Sequence, residues 1–342
     1  MGRRWLDGTG SWVPVPVGFT RWILILRNQG YSRDSCAPVT TVVKLMHDEV
    51  ADAALRALRG SGRSPRRLLL TGWFSFHDGE ATAGDVLAQA HMSAALTRSG
   101  IPHDTAWSPG FRPGALSLEA ADPGAYDTLL FVCGPVHGPQ VAALHDRFRF
   151  CRRLAAGVSV VDPADPAATG FHTVVARDGT GAPARRDLAG GAPAGPPPPV
   201  AGVVLTHGQG EYGERRRHTE VSDRITGWLA GKDCVRVPAD TRLATDDWRL
   251  CATAEQFLAL VARFDVVVTT RLHGLVLALR TGTPVIAVDP VAGGAKVSAQ
   301  ARALDWPALV AADALTREIL DRWWEWALSE TGRTAAACHS MG

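Results

Sequence analysis

The chain has 342 residues, 46% hydrophobic and 20% charged, which suits a globular protein with room for two cores. A formal net charge of +2 excludes the strongly basic surface of a nucleic-acid-binding domain. The six cysteines make neither a C-x-x-C pair nor a zinc spacing, and no apolar stretch reaches the ~20 residues that span a bilayer, so a reduced, cytoplasmic protein without metal or transmembrane segment is expected.

Residues 1–45 are rich in Gly, Trp, Pro and Val and show no sustained helical or strand period. They are expected to be a poorly ordered or artefactual extension, with natural translation starting at Met46. In residues 47–59 the apolar positions Val50, Ala53, Ala54, Leu55, Ala57 and Leu58 suit an amphipathic helix. A short linker at 60–65 precedes a buried strand at 67–73, a polar loop at 75–84 and a helix at 85–98. A strand at 127–133 ends at Gly134-Pro135, and a helix at 141–155 and a strand at 158–161 follow. This alternation predicts a Rossmann-like domain over 46–178. Residues 179–199 contain Gly190-Gly191 and four consecutive prolines, Pro196 to Pro199, and read as a semi-rigid spacer.

A second Rossmann-like domain is expected over 200–330, with strands at 203–207 and 234–237 and helices at 220–230 and 253–263. Trp323, Trp324 and Trp326 would pack a helix at 315–328 back against the body, leaving 331–342 as a tail. The most telling stretch is 265–296. A β-branched run at 266–270 stops at Arg271-Leu272-His273-Gly274, an apolar helical pattern runs to Gly282, and a second apolar run covers 284–288. Arg271 and His273 thereby fall at the carboxyl end of a buried strand as a helix begins, where free N–H groups and the helix dipole favour an anion. Arg271 offers a planar fork for carboxylate or phosphate, and His273 can donate to an oxyanion or move a proton near neutral pH. Gly274 permits close approach of a ligand or a neighbouring strand. The bland alternative pairs Arg271 with a carboxylate and makes His273 a satisfied core imidazole. Arginine is abundant in this chain and a lone Arg says little, whereas Lys44, Lys232 and Lys296 are the only lysines.

Residues 265–308 resemble the C-terminal signature of polysaccharide pyruvyl transferases. The resemblance rests on the Arg-Leu-His-Gly turn, the Ala-containing helix after it, the Gly-x-Pro-Val-Ile-Ala strand at 282–287, and Lys296 leading a further helix. A weaker match is Thr82-Ala83-Gly84-Asp85, downstream of Gly72, where the family carries a Gly-Asp pair. The chain departs from the family at Cys133-Gly134-Pro135, where only one residue of a Gly-rich triplet is present. The resemblance implies two Rossmann-like domains in a GT-B-like arrangement with an interdomain cleft. It implies transfer of pyruvate from phosphoenolpyruvate to a bacterial-type glycan, or to its lipid-linked or nucleotide-linked precursor, with no other cofactor and no metal. Peripheral membrane association is compatible with such an acceptor. Arg271 is then the anion clamp, His273 a donor to phosphate or carboxylate and a candidate acid, and Lys296 an aid to the phosphate.

Asp85 reads as a helix cap and as the base for a sugar hydroxyl, two compatible roles, and His77 and Glu80 share its loop. Thr82, Gly84, Gly134 and His207 are expected to line the acceptor side or the cleft. Gly208-Gln209-Gly210-Glu211-Tyr212-Gly213 fits G-x-G-x-x-G after a strand, with Asp240 as a distant acid, but residues 214–218 intervene before the helical pattern. Nicotinamide binding is therefore not expected, and one arginine of this loop, Arg215, is assigned to an anionic ligand. The rival readings are a glycosyltransferase using a nucleotide sugar and a catalytically silent glycan-binding relative.

Overall fold

In both halves of the chain, short β-branched or leucine-rich runs form parallel strands buried on both faces. The computed structural model describes residues 4–6, 12–14, 49–60, 65–77, 81–179 and 183–340. The expectation for residues 1–45 falls outside the described residues, apart from a small antiparallel ladder of β1 (Arg4–Leu6) and β2 (Trp12–Pro14). The chain divides into two compact units, Met1–Ala194 and Gly195–Gly342.

The first unit contains, in order, α1 (Glu49–Arg59), β3 (Leu68–Gly72), α2 (Ala83–Arg98), β4 (His103–Thr105), β5 (Thr128–Val132), α3 (Pro139–Arg147), β6 (Arg152–Val160), α4 (Pro166–Thr169) and β7 (Thr173–Gly179). The five strands of its larger sheet are all parallel, in the order β4-β3-β5-β6-β7. Alternation sorts the leucines of β3. Leu68 and Leu70 join the core under α1 and α2, and Leu69 joins Phe131, Val141 and Leu144 on the side of α3.

Two expectations need correction here. The helix expected at 141–155 stops at Arg147, and the strand expected at 158–161 already begins at Arg152. The polar face that suggested a longer helix is spent elsewhere. The Arg152 guanidinium donates to the carbonyls of Ala57 (2.7 Å) and Leu58 (3.1 Å) at the end of α1. That of Arg153 donates to the carbonyls of Gly170, Phe148, Arg149 and Cys151, tying the chain between α3 and β6. The stretch read as a spacer is also partly anchored. Leu188 is buried against α1 and α2, Asp187 pairs with Arg177, and a Cβ on Gly191 would lie 2.5 Å from Cε1 of His91.

The second unit contains β8 (Val200–Val204), α5 (His218–Ala230), β9 (Val235–Pro238), α6 (Ala254–Val261), β10 (Val266–Thr269), α7 (Leu272–Arg280), β11 (Val285–Asp289), α8 (Lys296–Ala303), β12 (Leu309–Ala311), α9 (Arg317–Leu328) and α10 (Glu330–Ser340). Its sheet is parallel throughout, in the order β12-β11-β10-β8-β9. The strand expected at 203–207 lies earlier, because Val200 leaves the proline run directly into the sheet, its N–H donating to Asp265 Oδ2 (2.7 Å). One face of the sheet packs on α6, α7, α8 and α10, and the other on α5 and α9. The tryptophans of α9 dock it as expected: Trp324 meets Trp228 edge-on at 5.5 Å, and Trp326 meets Trp306 at 5.3 Å. Residues 331–340, read as a tail, are helical, with Ala336 in the core beside α7.

Candidate functional site

The two sheets share one strand order, equivalent to 2-1-3-4-5 within each unit. In such a sheet the connections leaving the first and third strands diverge to opposite faces and leave a crevice at their carboxyl ends. In the second unit that point lies between β8 and β10, which are paired from Ala201 with Val266 to Val204 with Thr269. A cavity of about 330 Å³ sits there. It is lined by Thr206, His207 and Gln209 after β8, Thr241 after β9, Arg271, Leu272 and His273 after β10, and Lys296 after β11.

Hydroxyl groups fix the crevice floor. Thr269 Oγ1 donates to the Val204 carbonyl (2.8 Å) and accepts from the Arg271 N–H (2.9 Å), which shapes the turn into α7. Thr270 Oγ1 accepts from the Thr206 N–H (2.7 Å), so the two diverging loops are bonded to each other. Arg271 is the N-cap residue of α7, and no side chain caps that helix. Its Nη1 donates to Thr241 Oγ1 (2.8 Å) and lies 3.2 Å from Asp240 Oδ1. Its Nε is buried and has no hydrogen-bond partner among the described residues. Burial opposes ionisation of Asp240, but the N–H and guanidinium of Arg242 and the charge of Arg271 outweigh it and hold the carboxyl below its ordinary range.

Lys296 is placed by a carboxylate at the end of the next strand. Asp289 is fully buried, and its Oδ2 accepts from the N–H groups of Ala295 (2.7 Å) and Ser298 (2.8 Å) while Oδ1 accepts from Val291 (3.1 Å). Gly293 and Gly294, with φ of 76° and 81°, let the chain turn tightly over this carboxylate into α8. Lys296 is therefore the first residue of a helix whose start is held from below, with its Nζ 5.9 Å from the Tyr212 ring centre. The cavity wall carries two permanent cations and two imidazoles, His207 and His273, so it favours an anion.

Arg271, His273, Lys296 and His207 thus come together in one wall. Arg215 does not line this cavity; its carbonyl accepts from the Ala292 N–H (2.8 Å) and its residue is exposed. Gly274 serves packing: a Cβ there would lie 2.1 Å from Thr269 Oγ1 and 3.3 Å from Val204 Cγ1. The G-x-G-x-x-G loop forms short 3-10 turns over Gly210–Arg215, kinked at Gly213, and α5 begins only at His218, which is not the geometry of a dinucleotide loop.

The other four expected residues lie in the first unit. Thr82 caps α2, and Asp85 returns the bond, its Oδ2 accepting from the N–H (3.1 Å) and hydroxyl (2.8 Å) of Thr82. Burial, and then the neighbouring Asp85 carboxylate, push the Cys133 thiol well above its ordinary range. Asp85 is thus part of a capping box at the start of α2. Gly84 is exposed in the first turn of α2. Gly134, with φ of 68°, lies under Trp73, whose Cδ1 would be 2.2 Å from a Cβ placed there. Glu80 falls outside the described residues.

Thr206, Thr241 and Asp289 escaped the sequence reading, and Gln209 entered it only as part of the Gly208–Gly213 loop. Their signal is position: polar residues within a few places of the ends of adjacent parallel strands, which become neighbours only once the strand order is known. Among the described residues no group of three or more His, Cys, Asp or Glu is placed to hold a metal ion.

Residues 241–290 match the family model for polysaccharide pyruvyl transferase. The second unit carries a polysaccharide pyruvyl transferase signature. The matched stretch runs from Thr241 through Arg271 and His273 to the residue after Asp289, and so takes in half of the cavity wall and the carboxylate that holds α8. The class of activity that this pyruvyl transferase signature denotes is group transfer. No curated protein matches the chain. Similar solved structures include the spinosyn rhamnosyltransferase SpnG complexed with thymidine diphosphate, 12% identical over 80% of this chain and 95% of that one, with a TM-score of 0.29. Others are the calicheamicin glycosyltransferase CalG4 (14%, 81% and 93%, TM-score 0.30) and the E. coli heptosyltransferase WaaC with ADP (14%, 76% and 99%, TM-score 0.25). Likeness at these TM-scores carries no inference about activity. Among the described residues no helix is long and apolar enough to cross a membrane.

Proposed function

We propose that the chain transfers pyruvate from phosphoenolpyruvate to two hydroxyl groups of a glycan, or of a lipid- or nucleotide-linked glycan precursor, to form a cyclic ketal. The observation that carries this reading is the state of Arg271. Its guanidinium is oriented from one side by Asp240 and Thr241, yet its buried Nε–H lacks a partner among the described residues, in the wall of a small cavity rich in cations. A buried donor without an acceptor is costly, and a bound oxyanion satisfies it.

Phosphoenolpyruvate brings a phosphate and a carboxylate on adjacent positions of a three-carbon frame. Arg271, Lys296 and the uncapped N-terminus of α7 are donors suited to these two groups. His273 delivers a proton to the methylene carbon, which becomes a methyl group, and positive charge develops at the central carbon. The first sugar hydroxyl bonds to that carbon as its proton passes to His207, which lines the same wall. The carbon–oxygen bond to phosphate then breaks and phosphate leaves. The second hydroxyl bonds to the same carbon and closes the ketal, its proton leaving with phosphate. The cations at the site stabilise the departing phosphate more than the bound donor ester, since charge accumulates on it as the bond breaks.

The test is phosphate release from phosphoenolpyruvate in the presence of a bacterial glycan extract, with calorimetric titration of the donor. Arg271→Ala is expected to weaken donor binding by ~2–5 kcal/mol, because a desolvated anion loses its charge-assisted partner. Unchanged affinity in a folded variant would remove Arg271 from the site. Binding or hydrolysis of a nucleoside diphosphate sugar, with none of phosphoenolpyruvate, would replace this reading by the glycosyltransferase one.

A further inference from the structure

A second cavity of about 350 Å³ lies at the start of α5, lined by Gly213, Arg216, Arg217, His218, Thr219 and Glu220. None of these residues lines the cavity around Arg271. No side chain caps α5, a helix of 13 residues, so its first turn presents main-chain donors at the positive end of the helix dipole. A helix end alone would not be a site. His218 supplies the independent observation: it is only 2% exposed, and its Nδ1 is buried with no hydrogen-bond partner among the described residues, although Nε2 is held 2.9 Å from Gln209 Oε1.

The surroundings are rigid. The Arg217 N–H donates to the Pro290 carbonyl (2.8 Å), the Ala292 N–H donates to the Arg215 carbonyl (2.8 Å), and Arg216 bridges Val291. The loop beneath is the one clamped by Asp289. These contacts use backbone atoms, so the side chains of Arg216 and Arg217 remain exposed at the cavity. The Arg217 guanidinium makes one long bond to the Glu214 carbonyl (3.3 Å). The one carboxylate in the lining, Glu220, is engaged by Arg224 at 2.9 Å.

We infer that the start of α5 is a second oxyanion site, for a phosphate-type group, formed by the first-turn N–H groups, the guanidinium groups of Arg216 and Arg217, and the imidazole of His218. It does not rest on the donor reading of the Arg271 cavity. Burial, and then the charge of Arg216, hold the His218 imidazole below its ordinary range when no anion is present. A phosphate oxygen at Nδ1 reverses that balance, and the imidazolium then donates to the anion and to Gln209. Gln209 also lines the first cavity, so the His218–Gln209 bond joins the two sites.

The test follows the imidazole resonances of His218, assigned with a His218→Gln variant, in the full-length protein. Inorganic phosphate and methyl diphosphate are titrated in parallel, in wild type and in Arg271→Ala. Both probes are expected to raise the His218 pKa in both backgrounds. Arg216→Ala/Arg217→Ala is expected to weaken binding roughly tenfold or more. If the double variant does not fold, Arg216→Gln alone retains the Arg217 contact and reads the same loss. Tighter binding of the diphosphate identifies an esterified source for the group, and equal or weaker binding the free ion; both uphold the site. No response of His218 to either probe, or a response unchanged when the two arginines are removed, would overturn it. A His218 response that persists in Arg271→Ala, alongside lost phosphoenolpyruvate binding, separates this site from the first.

Discussion

The guanidinium Nη1 of Arg271 lies 3.2 Å from a carboxylate oxygen of Asp240, so Arg271 is already part of an ion pair. Both side chains are mostly buried, with relative exposures of 22% and 19%. The carboxylate holds the fork in place, and it also competes with any ligand anion for the same charge. Asp240→Asn keeps a polar partner for Arg271 while removing the competing charge. It is expected to tighten phosphoenolpyruvate binding roughly threefold to tenfold at low salt, with the gain shrinking as ionic strength rises. Calorimetric titration at two salt concentrations checks this.

Asp289 is expected to be the most sensitive polar position in the second unit. It is fully buried and accepts three backbone N–H bonds, from Val291, Ala295 and Ser298. Asp289→Asn places an amide donor against a ring of donors and should destabilise the protein by about 2–4 kcal/mol. Because the same bonds set the start of α8, donor binding should weaken together with stability. Urea unfolding and titration of the same sample measure both.

Two of the candidate glycines are predicted to behave oppositely. Gly274→Ala puts a methyl group 2.1 Å from Thr269 Oγ1, where helix and strand are bonded in place, and should cost about 1–3 kcal/mol. Gly84→Ala meets only Thr82 Oγ1 at 3.7 Å and adds helix propensity in the first turn of α2, so stability should rise by about 0.5–1 kcal/mol. Thermal melts decide between them. Lost turnover in a stabilised Gly84→Ala would show that a ligand needs the space beside that backbone.

His145 gives stability a pH dependence in the weakly acid range. Burial pushes its imidazole below the ordinary range, with the Ala167 carbonyl pulling the other way, and the ring sits edge-on to Phe171 at 4.6 Å. The unfolded chain therefore takes up the proton first. The stabilisation is fully present above the unfolded value of about 6.5 and is lost as pH falls through that value toward the lower folded one. His218, lowered in the same way, adds to the slope. The melting temperature should fall between about pH 8 and about pH 5, less steeply in His145→Gln.

The unit from Asp265 to Lys296 was legible because every link in it is local. A β-branched strand, a turn and an amphipathic helix each leave a period in the sequence, and Arg271 and His273 stand at the seam between two periods. Thr206, Gln209 and Thr241 left no such trace, since they reach Arg271 only through the strand order, with β8 inserted between β10 and β9. Asp240 looked like the distant acid of a dinucleotide loop; its partner is instead an arginine 31 positions onward in the chain. The helix after β5 was read too long because Arg152 and Arg153 imitate a solvated helix face while binding carbonyl groups of other segments. The Thr82–Asp85 pair was legible as a helix start, and the reciprocal bonds between the two residues show that cap.

Trp73 gives the two halves different fates. Both are wound in the same order, and each has a fork where its first and third strands part company. In the first half an indole roofs that fork: Trp73 rests on the left-handed turn at Cys133 and Gly134, and its Nε1–H donates to the Pro135 carbonyl at 2.9 Å. An indole in that place presents an apolar ring where the second half presents charged groups. From one blueprint the chain has thus made a cationic socket and an aromatic plate, and the difference lies in the residues that follow several strands: Trp73 after the first strand of one half, Arg271 and Lys296 after the third and fourth of the other.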